Sequence, residues 1–556
     1  MKASDLFVAC LEEEGVEFIF GVPGEENLDL IDSLRTSRIR LIVTRHEQHA
    51  AFMAAAYGRL TGRAGVCLAT LGPGATNLLT GIAHAQLGGM PLVAITGQKA
   101  IRDNWQAKFQ LVDVVGTFRP LVKWNTAIHA AHTIPRDVRH AFKVAEQERP
   151  GAVHLELPED VAGDSLPETP PHSRVRVRRP VPDGKAIAAA AALIGQARCP
   201  LLLISAGANR KRISKQLRAF VEHTGIYAVS TQMGKGVLPD SHPQSLFCLG
   251  IHKRDYVHAA VDHADLIITV GYDIVEYPPF VWNEHRRKQI LHLDFEPAEP
   301  DEFYNPTAEL VGDISYSLWA LRERLAARAS HPAMVALRRH IAEALFDSPC
   351  PAGFPPGPRQ VVREVRACLG EEDFVSLDNG IYKIWFARLY RAYAENTVLL
   401  DNALATMGAG LAGAMTAALL EPARRALAVV GDGGFLMNSQ DLETAVRLAL
   451  EVKILLLRDD AYGFIRWKQA AEGFEDFAMR FGNPDFVAYA RAYGATGLRV
   501  TPEQGLAACL REAFATPGVV LIDCPIDYTD NALLNEDLRL AVQHLMQDPG
   551  QPAQEK

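Results

Sequence analysis

The sequence predicts an α/β protein built as three units, each with a mostly parallel sheet between helices. Three observations carry that expectation. The chain has 556 residues, too many for one hydrophobic core, and three units are the natural division. Short apolar runs that end in glycine-rich turns alternate with stretches whose apolar residues recur at helical spacing, the pattern of parallel strands joined by crossover helices. Two proline-rich segments, residues 166–184 and 336–358, interrupt the alternation and read as linkers. The expected units are residues 1–165, 185–335 and 359–540, followed by a polar tail, 541–556, that should fray from about Asp548.

In the first unit, residues 17–20 read as a strand that enters the turn Gly21-Val22-Pro23-Gly24, and residues 27–34 as a helix. A second strand, 41–44, ends at Arg45-His46-Glu47-Gln48-His49, and a helix over about 50–60 follows. A third strand, 65–70, meets Gly72-Pro73-Gly74-Ala75-Thr76-Asn77, and residues 91–96 form a fourth. Glu47 precedes a helix rich in small residues (Ala50, Ala51, Ala54, Ala55, Ala56, Gly58), whose close packing would leave its carboxylate poorly hydrated. Its position is equally that of a first-turn glutamate favoured by the helix dipole. His46 and His49 read as structural, because nothing in the sequence supplies them a partner. Lys108-Phe109-Gln110 sits before Val112-Asp113-Val114, a pattern that ordinary packing also produces. Asn77, and Gln86 in the next helix, are further polar candidates.

The second unit has apolar strands at 201–205, 266–270 and 289–293. The turns Gly207-Ala208-Asn209 and Gly271-Tyr272-Asp273 follow two of them, but no GxGxxG does, which argues against a dinucleotide site.

The third unit is organised around residues 427–463. An apolar strand, 427–430, runs into the turn Gly431-Asp432-Gly433-Gly434. Leu442, Ala445, Val446 and Ala449 recur at helical spacing, and a second strand, 453–457, leads to Asp459-Asp460. Such a unit closes right-handed with parallel strands. Asp432 and Asp459, 459 − 432 = 27 residues apart, then stand at the carboxyl ends of neighbouring strands, where open α/β sheets bind ligands. Bared backbone N–H groups at a helix start suit a phosphate, and two carboxylates beside it suit Mg²⁺. A structural glycine turn with two surface aspartates is the plainer alternative. Upstream, Met407 reads as core filler before the small-residue helix of Gly408, Gly410 and Gly413.

Composition narrows the class. Hydrophobic content of 48% and charged content of 22% are ordinary for a soluble globular protein. A net charge of −9 without a dense basic block argues against nucleic acid. Eight cysteines without CxxC pairs fit a reducing cytoplasm and no disulfides, and no signal peptide or membrane-length apolar run is evident.

With its 27-residue spacing, the 431–459 segment resembles the thiamine diphosphate-binding motif. The run GGFLMNSQDLETAVRLA is similar to the catabolic members of the acetohydroxyacid synthase family. FGVPGEENLDLIDSL and RHEQHAAFMAAAYGRLTGRAGVCLATLGPGATN look like the pyrimidine domain of such enzymes, and the resemblance spans about residues 3–540. It implies three flavodoxin- or Rossmann-like domains: pyrimidine-binding, central and diphosphate-binding. By it, Asp432, Asp459 and the Ala461 carbonyl ligate Mg²⁺. Gly431, Gly433, Gly434, Tyr462, Gly463 and Phe464 line the diphosphate end, and Gly380, Ile381 and Tyr382 reach it. The Ala405 carbonyl and Met407 N–H bond the pyrimidine, with Met407 beneath the cofactor's bend. Pro23, Gly24 and Asn77 belong to the pyrimidine side, and Glu47 hydrogen-bonds the aminopyrimidine. Phe109 contacts substrate and Gln110 hydrogen-bonds the cofactor-bound intermediate. Arg458-Asp459 stands where many relatives have Asn-Asn, which keeps an oxygen ligand and adds a negative charge.

The resemblance also implies partners and substrate. GYDIVEYPPFVWN looks like the catabolic enzymes, with Glu276-Tyr277-Pro278 in place of an arginine of the anabolic ones, so no FAD is expected. Lys468, next to Trp467, holds the place of an anabolic tryptophan, which leans towards two pyruvates. The implied reaction decarboxylates pyruvate and joins the two-carbon unit to a second pyruvate, giving 2-acetolactate and CO₂. Another thiamine diphosphate-dependent decarboxylase, carboligase or pyruvate oxidase is the alternative. In the family the two halves of a site come from different subunits, which implies a homodimer or homotetramer with interfacial sites.

Overall fold

The computed structural model describes residues 1–103, 109–175, 177–250, 255–350, 352–540 and 542. Lys108 and, apart from Val542, the 541–556 tail lie outside the described residues.

Three six-stranded sheets make up the chain. The first contains β1 (Phe18–Gly21), β2 (Arg40–Val43), β3 (Gly65–Ala69), β4 (Leu92–Gln98), β5 (Trp124–Ala127) and β6 (Ala152–Pro158), in the order β2-β1-β3-β4-β6-β5. The second contains β7 (Pro200–Ile204), β8 (Tyr227–Ser230), β9 (Ser245–Cys248), β10 (Leu266–Val270), β11 (Gln289–Asp294) and β12 (Ala308–Val311), in the order β12-β11-β10-β7-β8-β9. The third contains β13 (Phe374–Leu377), β14 (Val398–Leu399), β15 (Ala426–Gly431), β16 (Val452–Arg458), β17 (Thr496–Arg499) and β18 (Val520–Pro525), in the order β14-β13-β15-β16-β18-β17. All pairings within the sheets are parallel. Helices cover both faces, so β3, β7 and β10 are buried along their whole length. That is why the inner strands read as unbroken apolar runs rather than alternating ones.

The first and third sheets share one strand order. Each reverses direction between its first and third strands, β1/β3 and β13/β15, and the second sheet reverses between β7 and β10. Crevices at the carboxyl ends of such reversal points are where open α/β sheets take ligands.

Two segments differ from the sequence expectation. The Gly431–Gly434 stretch is not a separate turn: a helix, Asp432–Asn438, starts directly at the end of β15. Its glycines are set by neighbours, since a Cβ on Gly434 would lie 2.5 Å from Asp378 Oδ2 and one on Gly433 3.0 Å from the Tyr462 ring. The boundary expected at 335/336 falls inside the helix Pro332–Ala342, which runs on as the π-helical turn Glu343–Asp347. Met334, Leu337, Ile341 and Leu345 bury one apolar stripe across it, and the prolines act only further on.

The first and third units share a core. Helix Glu47–Thr61 packs on helix Gly410–Leu420, where His49 Nε2 lies 3.3 Å from Met415 Sδ and Thr416 Oγ1 donates to the Met53 carbonyl at 3.3 Å. All eight cysteines are free thiols. Among the described residues no helix is long and apolar enough to cross a membrane.

Candidate active site

A cavity opens at the carboxyl ends of β13, β15 and β16. Its lining includes Gly380, Ile381, Tyr382, Met407, Gly431, Asp432, Gly433, Gly434, Asp459, Ala461, Tyr462, Gly463 and Phe464. Thirteen sequence-predicted residues therefore converge on one space. Asp432 begins its helix and is 1% exposed. Its Oδ1 accepts from Gly433 N at 2.9 Å, and its Oδ2 from Asp460 N and Asn483 Nδ2, each at 2.8 Å. Asp459 lies against the start of helix Gly463–Ala471, where a Cβ on Gly463 would meet its Oδ2 at 2.5 Å. Burial raises the Asp432 carboxyl. Burial, and then the charge of Asp432, push Asp459 up to about 7. Two carboxylates that disfavour each other's ionisation in a half-dry cavity are the donor set a hard divalent cation relieves, so these residues fit Mg²⁺. The backbone at the start of helix Asp432–Asn438 adds N–H donors for an anion beside it. At the reversal point, Gly431 N donates to Tyr382 Oη at 2.9 Å and closes the floor.

A buried polar frame, which the sequence reading missed, shapes the segment carrying Ala405 and Met407. Asp378 accepts from Gly408 N at 2.9 Å, and Asn379 Nδ2 donates to the Thr406 carbonyl at 2.6 Å. The Asp401 carboxylate accepts from the N–H groups of Ala403, Leu404 and Ala405, which holds Ala405 in a left-handed turn at φ +53°. Lys383, 6% exposed, donates to the Asp401 carbonyl at 3.0 Å, to Asn402 Oδ1 at 2.9 Å and to Asn379 Oδ1. Asp-Asn pairs at 378–379 and 401–402 are the only trace of this frame in the sequence, and Asn483 leaves none.

The first unit presents the other predicted group. Glu47 is the first residue of its helix, and its Oε2 accepts from Asn77 Nδ2 at 3.0 Å. A Cβ on Gly74 would lie 3.4 Å from Glu47 Oε1, and one on Gly72 2.6 Å from the Gln110 carbonyl. Glu47, Asn77 and Gln110 thus gather around one turn. Phe109, beside Gln110, is 70% exposed. Gly24 abuts Thr70 at the end of β3, and Pro23 beside it is exposed. In the single chain Glu47 is partly exposed, not dehydrated. His46 caps the helix by accepting from Gln48 N. His49 is fully buried between Met415 and Asp441, and burial lowers its pKa, as fits a structural histidine. Gln86 accepts from Ala152 N and braces β6.

Among the described residues, none of the first unit lines the cavity of the third, although the two units share a core.

The middle sheet carries its own crevice of about 870 Å³ at β7/β10, lined by Gly207, Arg210, Arg149, Asp273 and Glu148 among others. Three of its basic groups are paired with carboxylates: Arg149 with Asp273 at 2.5 Å, and Arg179 and Arg210 with Glu148. Glu276 is buried beneath it and accepts from Ser205 Oγ (2.9 Å), Thr231 Oγ1 (2.7 Å) and Met233 N (2.6 Å). Burial pushes its carboxyl up to about 7. A raised folded pKa contributes stability that is full below the ordinary carboxylate range and is lost as pH rises through about 7. Glu276→Gln should therefore melt close to the wild type at about pH 4. At pH 9 it should be more stable by roughly 1–3 kcal/mol. Melting curves with the same wild-type-to-variant offset at both pH values would contradict this.

Helix Gly463–Ala471 brings Phe464, Ile465, Trp467 and Lys468 beside the third-unit cavity, with exposed Lys468 Nζ 5.3 Å from the centre of the Phe464 ring.

Comparison with known proteins adds the following. Residues 1–117 match the description "thiamine pyrophosphate enzyme, N-terminal TPP binding domain", 187–321 the central domain and 378–524 the C-terminal TPP binding domain of the same enzymes. The chain is 34% identical over 545 residues to an acetolactate synthase of Bacillus subtilis (strain 168), covering 96% of this chain and 95% of that one. It is 35% identical over 554 residues to a catabolic acetolactate synthase of Raoultella terrigena, covering 97% of each. It is 31% identical over 557 residues to acetolactate synthase 1, chloroplastic, of Nicotiana tabacum, covering 96% of this chain and 83% of that one.

Proposed function

Because this chain belongs to the thiamine pyrophosphate enzymes, we propose that it is an acetolactate synthase acting on pyruvate. Two pyruvates and one proton give one 2-acetolactate and one CO₂. The observation that carries this reading is the convergence of Asp432, Asp459 and the glycine-backed helix start in one cavity, in a chain matched over its length by acetolactate synthases.

Asp432, Asp459 and the Ala461 carbonyl hold Mg²⁺, and the backbone at 431–434 with Gly380, Ile381, Tyr382, Tyr462, Gly463 and Phe464 receives the diphosphate. When bound, thiamine diphosphate supplies the electron sink on which a 2-keto acid loses CO₂. Ala405 and Met407 hold the pyrimidine end, and their position is fixed by the Asp378, Asp401 and Lys383 frame. The Glu47 carboxyl shares a proton with the pyrimidine ring, and Pro23, Gly24 and Asn77 complete that side. Phe109 and Gln110 face the substrate and exclude water from it, which protects the two-carbon unit from protonation. Lys468 stands where the anabolic enzymes carry a tryptophan that favours 2-ketobutyrate, so the acceptor choice leans towards pyruvate. Residues 1–165 form the pyrimidine-binding domain, 185–335 the central domain and 359–540 the diphosphate-binding domain. The protein works without FAD; the self-paired charges of the central crevice and the buried Glu276 support that reading. A cytoplasmic location fits eight free thiols.

The site is shared between two copies of the chain, in a homodimer or homotetramer. The support is that Glu47 is partly exposed in the single chain while, among the described residues, only the third unit lines the Asp432 cavity. Subunits carrying Glu47→Gln and Asp432→Ala, mixed 1:1 after dissociation, test this. Hybrid dimers regain one intact site of two, so a random mixture should recover about one quarter of wild-type activity from two inactive parents. No recovery, in a mixture shown to have exchanged subunits, would place both residues in one chain's site.

A further inference from the structure

A second cluster of metal-binding side chains lies in the central unit, away from the sites described above. Cys199 stands immediately before β7, at the amino end of the middle sheet. His263 ends the helix His258–His263, and His331 caps the helix Pro332–Ala342. One ligand atom from each lies within 4.8 Å of the others, and the two imidazole rings are 5.7 Å apart between centres. His331 Nδ1 is buried and, among the described residues, has no hydrogen-bond partner. A buried ring nitrogen without a partner is costly unless something occupies it. Cys199 is held rigidly: Asp265 accepts from Cys199 N at 2.9 Å and from Arg198 N at 2.8 Å. His263 is exposed and offers an entry path.

We propose that Cys199, His263 and His331 form a transition-metal site with three protein ligands, taking Zn²⁺ or a similar borderline-soft divalent cation, with water in the fourth position. One thiolate and two imidazoles suit such ions and discriminate against Mg²⁺ and Ca²⁺, which prefer all-oxygen sites. Tetrahedral coordination needs ligand atoms about 3.4–3.6 Å apart. Binding would draw the three atoms, within 4.8 Å of one another, to that spacing, and the exposed His263 ring is the ligand best placed to move. Binding displaces the thiol proton, which burial and the charge of Asp265 otherwise hold on sulfur, so affinity rises with pH. The bound ion would link β7 to the helix Pro332–Ala342 and so fasten the last helix of the central unit to its sheet.

Cobalt(II) titration of the full-length protein, with Mg²⁺ in excess, tests the site. The Asp432 and Asp459 set is all oxygen and gives no sulfur-to-metal absorption. The proposed site should give a thiolate-to-cobalt charge-transfer band in the near ultraviolet, saturating at one ion per chain and displaced by Zn²⁺. Cys199→Ser should abolish the band. Loss of a supporting partner around a metal costs roughly 10–100-fold in affinity, so His263→Ala, at an exposed position, should weaken binding by at least about 100-fold. No thiolate band in the wild type, an unchanged band in Cys199→Ser, or unchanged affinity in His263→Ala would each overturn the assignment.

Discussion

Replacing Glu47 by glutamine should leave thiamine diphosphate bound and lower kcat by about 10²–10⁴-fold, the usual worth of one positioned acid–base group. The variant keeps the shape and the Asn77 hydrogen bond, because the amide oxygen can still accept from Asn77 Nδ2. It removes only the carboxyl that can hold and release a proton at the pyrimidine. Affinity for the cofactor should change little, since in the proposed arrangement the third unit holds the diphosphate end. The readout that separates this from a packing defect is the split: kcat falls while cofactor affinity and melting temperature stay near the wild type. Full activity would remove Glu47 from the chemistry and leave it as the first-turn glutamate its position also permits.

Asp432→Ala should abolish Mg²⁺-dependent cofactor binding, with affinity for thiamine diphosphate falling by at least about 100-fold. The side chain is buried, anchors the Asp460 and Asn483 donors and faces Asp459 across the cavity. Its loss removes one anionic ligand. Asp459 alone retains little hold on a cation that surrenders its water reluctantly. Because Asp432 also orders the 459–461 turn, Asp432→Asn is the companion variant: it keeps an oxygen and the Asp460 N–H bond, and should bind metal more weakly than wild type but better than the alanine. Fluorescence quenching by thiamine diphosphate, titrated against Mg²⁺, measures both. Equal affinities for wild type and alanine would dismiss the ligand assignment.

The Asp432–Asp459 half was readable because it is local. A strand, a glycine-backed helix start, a helix and a second strand lie within forty residues or so, and the right-handed parallel crossover leaves little freedom in where the two carboxylates end up. The helix starting at Asp432 looks like a turn in the sequence, because two glycines suggest a break; Tyr462 and Asp378, which crowd them, are distant in sequence. The polar frame beneath Ala405 was invisible for the same reason. Lys383, Asp378 and Asp401 each look like surface charges, and only the fold buries them together. Asn483, which bridges Asp432 and Asp460, comes from a loop with no periodicity to mark it. Glu47 is legible as a candidate but not as part of a completed site, because it is not among the residues that line the cavity of the third unit.

Product analysis is the measurement to make. The purified protein is supplied with pyruvate, thiamine diphosphate and Mg²⁺, without FAD, and acetolactate is assayed as the acetoin released by acid. An acetolactate synthase gives one acetolactate per CO₂ and takes up one proton per turnover. CO₂ released with acetaldehyde and no acetolactate, from protein shown to hold its cofactor, would contradict that assignment and make the protein a decarboxylase of the same family.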